Sequence, residues 1–505
     1  MAIRKKAACV LCVNGCGLEV EVEKNEIVSV RGDKSDPRTD GYTCRKGINI
    51  RYFQHNADRV LYPLKKVGGT FERISWEQAT TEIAEKLSGI VNSHGPRSLA
   101  LVGGMNVGNS AQGPFAIGLL QAMGSQYRYN SLAQELTGRF WVNGETLGGP
   151  GANADTDNAD MAIISGKNPI MSHHFARARV FWKKFSKDPD KILVVIDPRL
   201  TETAKLADIH LAIRPGTDAL LLRAMIAIVL QEDWHDQAFL DEHVSDFAAI
   251  RHLFEDFDAR AAVDVCELAY DQVKEVCRLF TTRNACHLSD LGVLMNRHST
   301  LVSYLENVFL AVSGRMGKVG GNRIPKGAAN LPIRSASDTS DAWRTVATDY
   351  RQITGIYPPT VMPEEILNDH PGRLRAVIVS AHNPLRSYAD TAAYEEAFAR
   401  LDLLVTVDMN MTETAALSHY VLPAPSRYEK WDERLGGGGT GFRQPVLEPE
   451  GEQLEEGEIF TRLADKLGLL PDIPSTLSDA AESGDRLEFD AALAKYLDEA
   501  PEAKR

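Results

Sequence analysis

Four cysteines near the start of the chain, Cys9, Cys12, Cys16 and Cys44, stand in the spacing Cys-x2-Cys-x3-Cys-x27-Cys. Thiolates are soft ligands, and three on one tight loop joined by a fourth from a distance can enclose a metal centre. Structural zinc sites usually bring two short pairs of ligands. Here the distant end offers one cysteine with no pair, a three-plus-one arrangement that suits the corners of a 4Fe–4S cube better than a zinc ion. Four buried structural thiols are the plainest alternative. The other cysteines, Cys266, Cys277 and Cys286, are scattered through helical or strand-like stretches and read as core thiols.

A second chemical pattern occurs twice. Ile164-Ser165-Gly166-Lys167-Asn168-Pro169 is followed by Ile196-Asp197 and then Thr201-Glu202-Thr203-Ala204. Val379-Ser380-Ala381-His382-Asn383-Pro384 is followed by Val407-Asp408 and Thr412-Glu413-Thr414-Ala415. In open α/β sheets ligands bind outside the carboxyl ends of strands, near helix N-termini. Asn168 and Asn383 at such ends can offer amides to a phosphate or heterocycle, and Asp197 and Asp408 can accept from ribose hydroxyls. Arg199 and Arg214 can neutralise phosphates, and Asp218 can accept from the two N–H groups of a guanine edge. Any one Asn, Asp or Thr in such a place reads more simply as a cap or turn residue. The same set twice in the same order points instead to two related nucleotide-type sites.

The elements that must position these residues follow from patterning. Residues 18–23 alternate apolar and acidic like a half-buried strand, 24–26 read as a turn, and 27–30 as the returning strand, which brings Cys44 back to the loop. A helix is expected over 76–91 with Ser75 as its N-cap. Buried strands are expected at 98–102, 160–165, 191–196, 376–379 and 403–407, with further strands at 208–211 and 419–422. Helices are expected through 120, over 173–185 and over 459–467. Apolar strands alternating with helices give an α/β fold with parallel sheets covered on both faces.

At 505 residues the chain is long enough for two to four domains, and its 44% hydrophobic and 25% charged content is that of a globular protein. With 56 basic against 69 acidic residues the net charge is −13, which argues against nucleic acid as a main partner. No stretch reaches the ~18 apolar residues of a membrane span. The N-terminus carries no apolar signal core, so a cytoplasmic protein with reduced thiols is expected.

The cysteine segment, Lys46 two residues after Cys44, and the run Val195-Ile196-Asp197-Pro198-Arg199 through Thr203-Ala204 to Ala207-Asp208 resemble the molybdenum/tungsten bis-pterin oxidoreductases. These form the dimethyl sulfoxide reductase superfamily, with formate dehydrogenases and nitrate reductases among its members, and the resemblance spans roughly residues 5–468. It implies a small N-terminal iron–sulfur β domain (1–57) and two doubly wound α/β domains. One, built from 58–135 and 335–470, binds one pterin dinucleotide; the other, 136–334, is inserted in it and binds the second. Residues 471–505 form a tail. The implied cofactors are a 4Fe–4S cluster held by Cys9, Cys12, Cys16 and Cys44, and a bis-molybdopterin guanine dinucleotide carrying molybdenum or tungsten. Lys46 is implied between cluster and pterin. Asn168, Asp197, Arg199, Thr203 and Asp218 are implied around one dinucleotide, and Asn383, Asp408, Thr412 and Thr414 around the other. The activity implied is two-electron oxidation or reduction of a small molecule, with electrons passed to a partner subunit or protein.

Departures from the family limit this reading. The loop where members place a metal-ligating Cys, selenocysteine, Ser or Asp reads Ser131 to Arg139 without cysteine, and Glu135 lies nearest the expected position. A carboxylate there can ligate a hard, oxidised metal or relay protons. Leu136 replaces the His that formate dehydrogenases show next, and Lys326 stands where they carry Arg, which weakens formate as substrate. Lys326 draws in an anion without the bidentate fork of arginine. His173 and His174 are further proton-handling candidates, read more simply as an exposed or capping pair. The β-rich closing domain expected after residue 470 is absent; a separate polypeptide supplies it, or the chain is a truncated product. An electron-transfer or structural subunit that keeps the cluster and has lost the metal cofactor is the second reading.

Overall fold

In the computed structural model of the chain, residues 2–103, 109, 111–149, 151–173, 175, 177–324, 342–353, 355–434 and 441–499 are described. Two parallel-centred sheets organise them. The first joins Ile209–Leu211, Ile192–Ile196, Met161–Ser165 and Ala285–Ser289, in that order and all parallel. The second has seven strands in the order Thr70–Arg73, Leu64–Val67, Tyr420–Pro423, Leu403–Asp408, Ala376–Ser380, Leu99–Gly103 and Arg128–Tyr129. Its strands come from both sides of residues 136–334 in sequence. Only the pairings of Leu64–Val67 with its two neighbours are antiparallel.

Alternating residues of each central strand feed different cores, because successive side chains point to opposite faces. Met161 and Ile163 pack on one side among Val194, Met225 and Phe309, while Ala162 and Ile164 pack on the other with Trp182 and Val195. Leu99, Leu101 and Ile378 likewise face one way, and Ala100, Val102 and Val377 the other. Strands buried on both faces need helices on both, and the chain supplies them. The Trp76–His94 helix begins as expected, with Ser75 Oγ accepting from Gln78 N at 3.1 Å.

The third sheet, Ile3–Ala8, Gly17–Glu23 and Glu26–Gly32, is antiparallel. Lys24 and Asn25 both take positive φ, the backbone of a tight hairpin turn. The strand Ile3–Ala8 is not evident from its sequence, whose middle is the basic run Arg4-Lys5-Lys6. It gains its place by pairing Ile3 with Val22 and Ala7 with Leu18.

One expected helix is corrected. Within 173–185 the described helix is only Ala178–Phe185; a separate turn, Pro169–Ser172, precedes it, with His173 and Arg177 at positive φ between them. The break lets Phe175 pack on Phe181 and Trp182 while its carbonyl accepts from Asn14 Nδ2 at 3.2 Å.

Candidate functional site

The loop carrying three cysteines is closed at its base, where Cys9 N donates to Cys16 O at 2.8 Å, and Gly15 turns it with a φ of 49°. Cys44 stands at the start of the Arg45–Ile48 helix. Cys9 and Cys16 are buried, whereas Cys12 and Cys44 are partly exposed. Burial pushes the Cys16 thiol up to about 12, and Cys9, Cys12 and Cys44 push it the same way by charge, so the four sulfurs lie within electrostatic reach of one another. Among the described residues no three His, Cys, Asp or Glu side chains close on a single ion. Three thiols on one loop with a fourth at the start of a following helix fit a four-iron cube better than one zinc. A Cβ added at Gly47 would stand 2.2 Å from Thr43 Oγ1 and 3.5 Å from Cys9 Sγ, so the helix backbone lies against the quartet. The residues fit the cluster.

The cluster segment is clasped from two sides. Besides Asn14 on Phe175, Tyr42 OH lies 3.4 Å from His173 Nδ1, and Arg177 pairs with Asp40 at 3.3 Å. From the seven-stranded unit, Tyr428 OH donates to Ala8 O at 3.1 Å, and Glu429 accepts from Gln54 at 2.9 Å and from Arg59 at 2.7 Å. Lys46 is exposed. Burial chiefly lowers the His173 imidazole, and the charge of Lys46 adds to it and also reaches Cys9, so Lys46 lies within electrostatic reach of both.

The repeat is a repeat in three dimensions. Asn168 Nδ2 donates to Glu202 Oε2 at 2.7 Å, and its Oδ1 accepts from Thr203 Oγ1 at 2.7 Å. Asn383 does the same with Glu413 and Thr414, at 2.7 Å and 2.7 Å. Thr203 and Thr414 are wholly buried, and each also accepts a backbone N–H at 3.3 Å, from Ile170 and Leu385. Thr412 caps the next helical turn by accepting from Ala415 N at 3.1 Å, as Thr201 does from Ala204 N at 3.0 Å. Asp197 and Asp408 each accept from the amide two residues on at 2.9 Å. Both amide ends of each Asn are thus occupied within the protein. Asn and Thr fix the strand-to-helix turn, while one oxygen of each Asp stands at the strand end. Asp218 opens the Asp218–Gln231 helix; its carboxyl is raised by burial, with Glu306 and Asp197 adding to it, so Asp197 and Asp218 share one strand-end region. Arg199 and Arg214 are exposed at the same end.

Glu135 ends the short helix Leu132–Glu135 between the two copies. Its neighbour Gln134 donates to Ser387 O, beside the second copy, at 2.9 Å. Glu135 itself is half-buried, and its carboxyl is raised by burial and then by the charge of Asp290. Asp290 in turn pairs with Lys167 of the first copy at 3.0 Å. Lys326 and His174 lie outside the described residues.

Several charged residues escaped the sequence reading. Arg427, Glu429, Lys430 and Asp432 are all buried. Lys430 Nζ donates to Asn109 Oδ1 at 2.8 Å and to Glu456 Oε2 at 2.5 Å, and Ala111 N donates to Asp432 Oδ1 at 3.0 Å. The charges of Glu456 and Lys430 both reach Asp408, whose carboxyl burial pushes up to about 7. Arg427 Nη2 and Arg443 Nε are buried without a hydrogen-bond partner among the described residues, and Asp432 Oδ2 has only the ion pair to Arg427 Nε at 3.4 Å. Unpartnered buried polar atoms cost free energy, and a polar cofactor at this strand end answers them. The residues present fit a pterin dinucleotide. The available signal was a tight run of charge, Arg427-Tyr428-Glu429-Lys430-Trp431-Asp432, directly after a buried strand.

Comparison with known proteins agrees with this geometry. Residues 59–466 match the molybdopterin oxidoreductase family and residues 4–56 its Fe4S4 domain. A probable oxidoreductase of Bacillus subtilis, YyaE, is 26% identical over 92% of this chain and 69% of its own length. The F420-dependent formate dehydrogenase alpha subunit of Methanocaldococcus jannaschii is 27% identical over 91% of this chain and 70% of its own. Among solved structures, the acetylene hydratase of Pelobacter acetylenicus superposes with a TM-score of 0.77 at 23% identity, over 92% of this chain and 69% of that one, which shows a shared fold. The chain belongs to the molybdopterin oxidoreductases of the dimethyl sulfoxide reductase superfamily, with a molybdopterin and a 4Fe–4S cluster as its cofactors.

Proposed function

We propose that this enzyme is a molybdenum- or tungsten-dependent two-electron oxidoreductase of a small molecule, with a bis-molybdopterin guanine dinucleotide spanning its two repeat copies. The observation that carries this is the doubled Asn–Glu–Thr staple, which sets Asp197 and Asp408 at equivalent strand ends. Asp197, Arg199 and Asp218 line one dinucleotide seat, whose turn Asn168 and Thr203 hold, and Asp408 lines the other, whose turn Asn383, Thr412 and Thr414 hold. When bound, the pterin-held metal supplies the two-electron chemistry.

The chain's own residues position and protonate. Glu135 lies between the copies, and burial raises its carboxyl, which suits it to exchange a proton with substrate. Lys167 and Asp290 fix the charge beside it. Lys326 steers an anionic group of the substrate. Cys9, Cys12, Cys16 and Cys44 would hold the cluster, which would supply one-electron transfer to a partner protein, and Lys46 would stand between that cluster and the pterin side. The three cysteines outside the quartet, Cys266, Cys277 and Cys286, are buried and unpaired, which suits a cytoplasmic setting.

Anaerobically purified protein tests this by metal analysis and electron paramagnetic resonance. The reading expects molybdenum or tungsten together with iron, and a cluster signal on reduction. Iron alone would leave the cofactor-free subunit as the correct account. In Glu135→Gln, a proton-holding role predicts a shifted pH–rate profile and an unchanged metal(V) spectrum. A changed spectrum reassigns Glu135 as a metal ligand.

A further inference from the structure

We propose that the outer face beside Cys44 is the docking surface for an acidic one-electron carrier protein. The proposal rests on reading the quartet as the electron outlet. The cluster is approachable from one side, because Cys12 and Cys44 are partly exposed while Cys9 and Cys16 are buried. One helical turn beyond Cys44, Ile48 N donates to Cys44 O at 3.1 Å, yet the Ile48 side chain is 44% exposed. Tyr52 follows at 63% and Val28, on the outer strand of the sheet, at 38%. Arg51 knits these together: Nη1 donates to Val28 O at 3.4 Å, Nη2 donates to Tyr52 OH at 2.6 Å, and the guanidinium lies 4.6 Å from the Tyr52 ring centroid. Large apolar side chains left in solvent beside a redox centre need a cover.

Charge says what kind of cover. Residues 1–57 hold ten Lys and Arg against seven Asp and Glu, on a chain whose totals are 56 against 69. The segment is a basic island on an acidic protein. Within it Arg4, Lys6 and Arg31 are paired with Glu21, Asp33 and Glu19, whereas Arg45 and Arg51 enter no ion pair among the described residues. A small apolar centre with an unpaired cationic rim is the form of a transient, charge-steered interface. An acidic carrier is drawn to this face and repelled by the rest of the chain. The step is one electron from the reduced cluster to the carrier's oxidised one-electron centre, with no bond made or broken.

The test uses holoenzyme reduced with dithionite and freed of excess, mixed anaerobically with oxidised rubredoxin as the acidic probe and cytochrome c as the basic one. A neutral benzoquinone serves as a small acceptor. Arg45→Glu/Arg51→Glu is expected to slow rubredoxin reduction about tenfold or more, with quinone reduction unchanged and cytochrome c reduction no slower. Wild-type rubredoxin reduction should fall as salt rises, and Tyr52→Ser should lower it as well. A wild-type rate in the double variant, or a rate rising with salt, overturns the docking surface while leaving the cluster reading intact. A wild-type dimer that Ile48→Asp converts to monomer in sedimentation also overturns it, since a second copy would then cover the patch. Protein with no cluster signal on reduction removes both readings together.

Discussion

The two strand ends that face the candidate cofactor use one scaffold in two environments. At each, an Asn bridges a Glu and a Thr with the same 2.7 Å distances, and an Asp closes on the amide two residues ahead. The residues between strand and Asn differ. The first copy turns on Gly166, whose added Cβ would meet Val293 N at 2.7 Å because the Leu291–Leu294 helix presses against it. The second turns on Ala381 at a φ of 50°, with room for the methyl group. The first then places Lys167, paired with Asp290; the second places His382, whose Nε2 is buried without a hydrogen-bond partner among the described residues and whose imidazole burial pushes down to about 4. The repeated residues hold the turn, and the unrepeated ones give each end its charge.

Substitutions that break this symmetry are expected to do so in order of size. Gly166→Ala forces a methyl group into backbone at positive φ and should cost about 3 kcal/mol or more, read by urea denaturation. The staple substitutions Asn168→Leu and Asn383→Leu each strand a buried Thr hydroxyl. Each should lose about 2 kcal/mol, and by similar amounts, since the geometry is shared. A large inequality between them would show that the staples are not equivalent.

A smaller effect separates the second copy by pH in the cofactor-free chain. Between the unfolded carboxyl value of ~3.9 and about 7, folded Asp408 holds a proton that the unfolded chain has lost. Its contribution to stability therefore falls as pH rises through that window. His382 acts oppositely: between about 4 and the unfolded imidazole value of 6.5 the unfolded chain holds the extra proton, so stability rises with pH. Asp408→Asn and His382→Gln should bend the stability–pH curve in opposite directions, and parallel curves for both would contradict these environments. Smallest of all, Ala381→Gly relieves a positive φ and should gain at most about 1 kcal/mol, with no counterpart at Gly166.

Much of this was legible because it is local. A strand buried on both faces is apolar throughout, a Ser before an amphipathic run is a cap, and three cysteines on one loop remain together in any fold. The doubling of Asn, Asp and Thr in the amino-acid sequence is enough to locate both strand ends. What was not legible depends on partners distant in sequence. Ile3–Ala8 is a strand only beside Gly17–Glu23. The break after Ser172 follows from Asn14 and Tyr42 engaging residues 173–175, more than a hundred positions away. The buried charges from Arg427 to Asp432 make sense only beside Arg59, Asn109 and Glu456. The staple itself redirected an expectation, since the sequence pointed the Asn amides at the ligand and the structure spends them on Glu and Thr.

The central claim is that each copy seats one guanine dinucleotide, and acid release of guanine nucleotide from anaerobically purified protein, counted against bound metal, tests it most directly. The account predicts two guanine nucleotides for each molybdenum or tungsten. One nucleotide per metal, or none in protein that retains its iron, would contradict it.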